Sequence, residues 1–144
     1  MTVVDSVIEG NGFYGISDSN SAGGSVLTVE SSKIVHNGYG QTFGAGIQYG
    51  NAPGGDARRA VLSKNLIADN NYYGVLLRGT SSTIVLFSGN TVTQNQSGIF
   101  TESGTGFTFP IKYSRGDNTI GVNFISNNGS DMSSGIAMTP LGAL

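Results

Sequence analysis

The sequence predicts an all-β solenoid of about five coils. Three observations predict it. One phrase of apolar and polar residues returns along the chain, the spacing of its first part is fixed while its last part stretches, and no segment sustains the i, i+3, i+4, i+7 apolar pattern of a helix.

The first phrase is Val3, Ser6, Ile8, Asn11 and Gly15-Ile16, and the second is Val29, Ser32, Ile34, Asn37 and Gly46-Ile47. The third runs Leu62, Asn65, Ile67, Asn70, Gly74-Val75, and the fourth Phe87, Asn90, Val92, Asn95, Gly98-Ile99. The fifth is read as Ile120, Asn123, Ile125, Asn128, Gly135-Ile136. From the first apolar residue to the second the step is always 5, whereas the step from the second to the third is 8, 13, 8, 7 and 11. Short units rich in Gly, Asn, Ser and β-branched residues that bury an apolar face by stacking on the next unit are strands of a solenoid.

Three apolar columns imply three walls around one lumen, with turns at the Asn and Gly positions. Stacking brings Asn11, Asn37, Asn70, Asn95 and Asn128 into one corner ladder of side-chain amides and Ser6, Ser32, Asn65, Asn90 and Asn123 into a second. The Asn-x-Ile/Val-x-x-Asn steps 65–70, 90–95 and 123–128, each followed by Gly-Ile or Gly-Val, resemble the right-handed parallel β-helix proteins of the pectate-lyase-like class. The stretch from Tyr113 to Leu144 is similar to the C-terminal coil of small secreted bacterial β-helix proteins. The resemblance covers essentially the whole chain and implies the fold, together with a secreted or cell-surface bacterial location; it brings no functional motif.

A chain of 144 residues with no internal change of composition is expected to be one domain, residues 1–144, either entire or the C-terminal part of a longer solenoid. Charged residues are 11 % of the chain and the net charge is −2, which leaves no basic footprint for nucleic acid. Cys is absent, so disulfides, thiolate catalysis and Cys-zinc sites are excluded. The longest apolar run, Ile84-Val85-Leu86-Phe87, is too short for membrane insertion. Met1 to Asp5 is expected to enter the first coil at once, with an export signal removed together with earlier coils, which the resemblance favours, or with the chain a complete short cytosolic one. An uncapped first coil, or an outward Leu76 and Phe100 patch, leads one to expect a homo-oligomer.

With the lumen residues fixed, alternation turns Ser17, Gln48, Leu76, Phe100 and Ala137 outward on the third wall, followed two residues on by Ser19, Gly50, Arg78, Glu102 and Thr139. The variable spacings flank this wall, so loops on both rims make it a trough. Its expected lining is Gln48, Leu76, Arg78, Phe100 and Glu102, with Arg58, Arg59, Lys112 and Tyr113 on the loops beside Tyr39, Phe43, Phe107 and Phe109. Aromatic faces with neutral and basic hydrogen-bonding groups suit the C–H faces and hydroxyls of a polysaccharide.

Complete catalytic machinery is missing. His36 is the single histidine and belongs to a turn, and no G-x-S-x-G, HExxH or calcium loop occurs, so no cofactor and no metal is expected. The nine carboxylates never fall within three residues of one another. Gly38-Tyr39-Gly40 and Gly44-Ala45-Gly46 are turn glycines rather than a phosphate cradle, because no helix follows. The expectation is a non-catalytic β-helix module, structural or binding glycans or partner proteins. The alternative is a polysaccharide lyase or hydrolase, or the remnant of one, with Arg78 or Arg58 as base assisted by Glu102 or Asp117.

Overall fold

The structure, a computed structural model, describes residues 1–19, 24–40, 43–50, 57–80, 82–103, 111–121, 123 and 139–140. The first coil is β1 (Thr2–Val4), β2 (Val7–Glu9) and β3 (Tyr14–Asp18). The second is β4 (Val26–Glu30), β5 (Lys33–Val35) and β6 (Ala45–Tyr49), and the third β7 (Arg58–Ser63), β8 (Leu66–Ala68) and β9 (Tyr73–Gly79). The fourth is β10 (Thr83–Ser88), β11 (Thr91–Thr93) and β12 (Ser97–Ser103). Strands β13 (Ile111–Ser114) and β14 (Thr119–Gly121) open a fifth, and β15 (Thr139–Pro140) pairs with β13. The described residues contain no helix.

Every strand pairs in parallel with its counterpart one coil on, giving three sheets ordered β1-β4-β7-β10-β13-β15, β2-β5-β8-β11-β14 and β3-β6-β9-β12. The result is a β-solenoid of about four full turns. The variable spacing enters between the second and third sheets and between the third and the next coil's first, while the corner from first to second sheet stays short. That corner and the next each bend through one residue in the left-handed region just before the ladder residue: Asp5, Ser31 and Lys64 at one, His36, Asp69 and Gln94 at the other, with φ between 48° and 55°. The constant step of five is this geometry repeated: from the inward residue of the first sheet, through one such bend, to the middle of a three-residue strand.

Inside, Val3, Val29, Leu62 and Phe87 stack on the first sheet, Ile8, Ile34, Ile67 and Val92 on the second, and Ile16, Ile47, Val75 and Ile99 on the third. From Val29 onward each of these is at most 1 % exposed. At about 1.5–3 kcal/mol for each fully buried aliphatic or aromatic side chain, these columns dominate the folding energy. A second inward row, Leu27, Ala60 and Val85 opposite Tyr49 and Leu77, fills the wider part of the lumen.

The ladders run as expected through four coils. Asn37 Nδ2 donates to Asn70 Oδ1 (3.0 Å) and Asn70 Nδ2 to Asn95 Oδ1 (3.0 Å), and each backbone N–H reaches the same oxygen. The fifth coil differs from the expected register by five residues. Ile120 pairs with Val92 rather than stacking on Phe87, Asn118 receives Asn90 Nδ2 (2.8 Å), and Asn123 receives Asn95 Nδ2 (3.2 Å). Asn118, Asn123 and Asn128 are themselves five apart, so the phrase fits at two phases. The hydrogen bonds select the earlier one, and β13 supplies the first wall. Thr139, expected outward on the third wall, lies on the first sheet against Tyr113. Ile125, Asn128, Ile136 and Ala137 lie outside the described residues.

Candidate functional site on the outer face of the third sheet

The outward row of the third sheet is Ser17, Gln48, Leu76 and Phe100, in register across β3, β6, β9 and β12. The flanking outward pair is Arg78 and Glu102. Arg78 Nε donates to Glu102 Oε2 at 2.7 Å and Nη2 to Oε1 at 3.5 Å, with the two side chains 30 % and 37 % exposed. Such a half-exposed pair is worth at most about 1 kcal/mol, so its weight lies in presenting fixed donors and acceptors.

Leu76 and Gln48 face outward but are covered. Leu76 packs with Ala45 and Tyr73 beneath Tyr14, Tyr72 and Phe100, an apolar cluster separate from the lumen core. Gln48 is held by Ser17 Oγ, which donates to its Oε1 (2.5 Å), and gives its own amide to Gly50 O (2.6 Å). The rings form a chain along the sheet: Phe43 to Tyr72 at 5.5 Å, Tyr72 to Tyr73 at 5.1 Å, and Tyr73 stacked on Phe100 at 4.7 Å between centroids. Phe13 meets Tyr14 edge-on at 4.3 Å. Phe13 and Phe43 are the exposed members, at 42 % and 55 %.

Two phenols converge on the ion pair. Burial raises the Tyr14 hydroxyl's pKa, opposed by the charge and hydrogen bond of Arg78. Tyr73 is also raised, first by burial and then by the charge of Glu102. Both stay protonated at neutral pH, and Tyr14 accepts from Arg78 while keeping a proton to donate.

Four residues expected on the trough's loops stand elsewhere. Arg58 and Lys112 belong to strands of the first sheet and point into the lumen, each 2 % exposed. Arg58 Nη1 lies 3.9 Å from Asp18 Oδ1 and 3.4 Å from Ser25 Oγ, beside Tyr49, whose hydroxyl is 2.8 Å from Arg59 O. Strand parity is the reason: Arg58 is two residues from inward Ala60, and Lys112 stands opposite inward Val85. Arg59 and Tyr113 take outward positions, but on the first sheet rather than around the trough. Phe107 and Phe109 lie outside the described residues. Asp117 sits at the first corner, where Ser88 Oγ donates to it (2.9 Å), far from Arg78 in the coil. His36 occupies its expected turn, exposed, with Nε2 3.9 Å from Asp69 Oδ2.

Tyr14, Tyr72 and Tyr73 were not among the expected site residues. Their signal was local: Tyr14 and Tyr73 immediately precede the Gly of Gly15-Ile16 and Gly74-Val75. Alternation carried back across that glycine misassigns them, because the register skips the glycine pair and both rings pack with outward Leu76.

A right-handed coil of parallel strands with asparagine ladders at its corners defines a class, and the family model for the right handed beta helix region matches residues 1–110. The chain belongs to that family. No curated protein and no solved structure matches it.

Proposed function

We propose that this protein is a non-catalytic β-helix module that binds neutral, hydroxyl-rich glycan chains along the outer face of its third sheet. The observation that carries the reading is the side-by-side placement of the stacked Tyr73–Phe100 rings and the Arg78–Glu102 pair. Aromatic rings offer a face to sugar C–H groups, and a guanidinium, a carboxylate and phenols offer paired donors and acceptors to hydroxyls. Arg78 is matched by Glu102 in charge, which favours neutral sugars over uronates.

The hydrolase alternative loses support from the same geometry, and of the residues named for a lyase only Arg78 and Glu102 stand together. Hydrolysis of a glycosidic bond uses two carboxyl groups roughly 5 to 9.5 Å apart, and Glu102 is the one carboxylate at an outward position of the third sheet among the described residues. Arg58 is inside the lumen, and Asp117 is at another corner. A glycan-binding role accords with a location at or outside a bacterial cell surface.

Calorimetric titration with neutral β-linked hexaoses and with hexagalacturonic acid tests the proposal. Binding of a neutral hexaose that falls at least tenfold in Phe100→Ala supports it; binding of the uronate alone, or affinity indifferent to Phe100, overturns it.

A further inference from the structure

Lys112 has no part in that surface, yet it occupies an unusual place for an amine. It continues the inward row Leu27, Ala60, Val85, in direct register with Val85. Its side chain is 2 % exposed, and among the described residues its one hydrogen bond is from Nζ to Thr101 Oγ1, at 2.9 Å. Thr101 is itself fully buried and lies on β12 between Phe100 and Glu102. The amine therefore grips the inner side of the strand whose outer side carries half the candidate surface.

We propose that Lys112 is a protonation-sensitive anchor: as the neutral amine it holds β13 and β14 onto the fourth coil, and as the ammonium it promotes their local opening. An ammonium in an apolar lumen, with no carboxylate facing it among the described residues, gives up most of its hydration, whereas opening the coil returns it to water. Around it, β10 presents Val85 and Phe87, β12 Ile99 and Thr101, and the second sheet Val92 and Ile120. The nearest titratable side chains along these strands, Glu102 and Tyr113, stand at outward positions. In keeping with this, burial is the cause that lowers the Lys112 pKa from its ordinary 10.5 to about 8.

The sign follows from linkage. The closed coil binds the proton less tightly than the open one, so closure weakens as pH falls through 10.5 and levels off below about 8. With those two values the opening equilibrium at pH 7 exceeds that at pH 9.5 by roughly 25-fold. The inference does not depend on the glycan reading, because its readout needs no ligand.

Hydrogen exchange of the strand amides at pH 7 and pH 9.5, in wild type and in Lys112→Met, is the experiment. The unbranched thioether fills a similar volume without charge, and Lys112→Leu is the second variant should Met fail to fold. Protection is expressed relative to the uncharged variant at each pH, which removes the intrinsic pH dependence of exchange. The expected result is a gain of roughly 25-fold for β13 and β14 amides in wild type between pH 7 and 9.5, with β7 and β8 unchanged. Equal profiles in wild type and variant overturn the proposal, and a uniform change across all coils overturns its local character.

Discussion

Removing the Asn95 side chain tests the corner ladder at its most buried point. Asn95 is fully buried; its Oδ1 accepts the Asn70 N–H and the Asn70 amide, both at 3.0 Å. Its Nδ2 donates to Ile67 O (3.1 Å), Thr93 O (2.8 Å) and Asn123 Oδ1 (3.2 Å). Asn95→Ala thus leaves two Asn70 donors and the Ile67 carbonyl without their side-chain partner in the interior. At about 1 kcal/mol each, the low end for a stranded buried group, the loss is about 3 kcal/mol. In a domain of this size that lowers the melting midpoint by about 6–12 °C. Asn11→Ala is the matched control: Asn11 is the exposed end of the same ladder, and the Asn37 Oδ1 that loses its amide (2.9 Å) keeps the Asn11 backbone N–H (3.2 Å). Its expected cost is under about 1 kcal/mol. Thermal and urea unfolding of both variants decide the matter; equal midpoints for the two would refute the idea that burial within the ladder sets its strength.

Three further outcomes follow from the coil geometry. Gly74→Ala should prevent normal folding, since a Cβ there would stand 2.6 Å from Gly98 O and 2.8 Å from Asn95 Nδ2, whereas Gly12→Ala, with nothing within 4 Å, should fold and melt like wild type; soluble yield and circular dichroism report the contrast. Lys64→Gly should be neutral or stabilising by up to about 1 kcal/mol, because the exposed Lys64 is held at φ 55° and glycine adopts that region freely. A double-mutant cycle on Arg78 and Glu102, measured by urea unfolding, should return a coupling of at most about 1 kcal/mol in low salt that shrinks as salt is added, as the half-exposed positions require.

The lumen was legible because burial on a three-residue strand leaves one inward position, so Ile8, Ile34, Ile67 and Val92 announce themselves by type and spacing. The fifth coil was less so. Asn118, Asn123 and Asn128 offer two phases, and the closer match of Asn118-Thr119-Ile120 to Asn90-Thr91-Val92 is a single threonine's worth of signal. That choice of phase also decided Lys112, which reads as a loop cation in one register and a lumen residue in the other. Arg58 was misplaced for a related reason: a strand's start is set by which backbone N–H first finds a partner, here Arg58 N to Ser82 O, and side-chain polarity gives no hint of it. On the outer face, alternation placed Leu76, Phe100, Arg78 and Glu102 correctly, but not the rings that lie over Leu76, since a ring's reach across coils is a matter of packing.

The glycan-binding surface is the central claim, and amide chemical-shift mapping during titration with a neutral β-linked hexaose tests it most directly. The account predicts saturable shifts concentrated on β6, β9 and β12 around Gln48, Leu76, Arg78, Phe100 and Glu102, absent in Phe100→Ala. Shifts centred on the first sheet around Arg59 and Tyr113, or no saturable shift with any neutral hexaose, would contradict it.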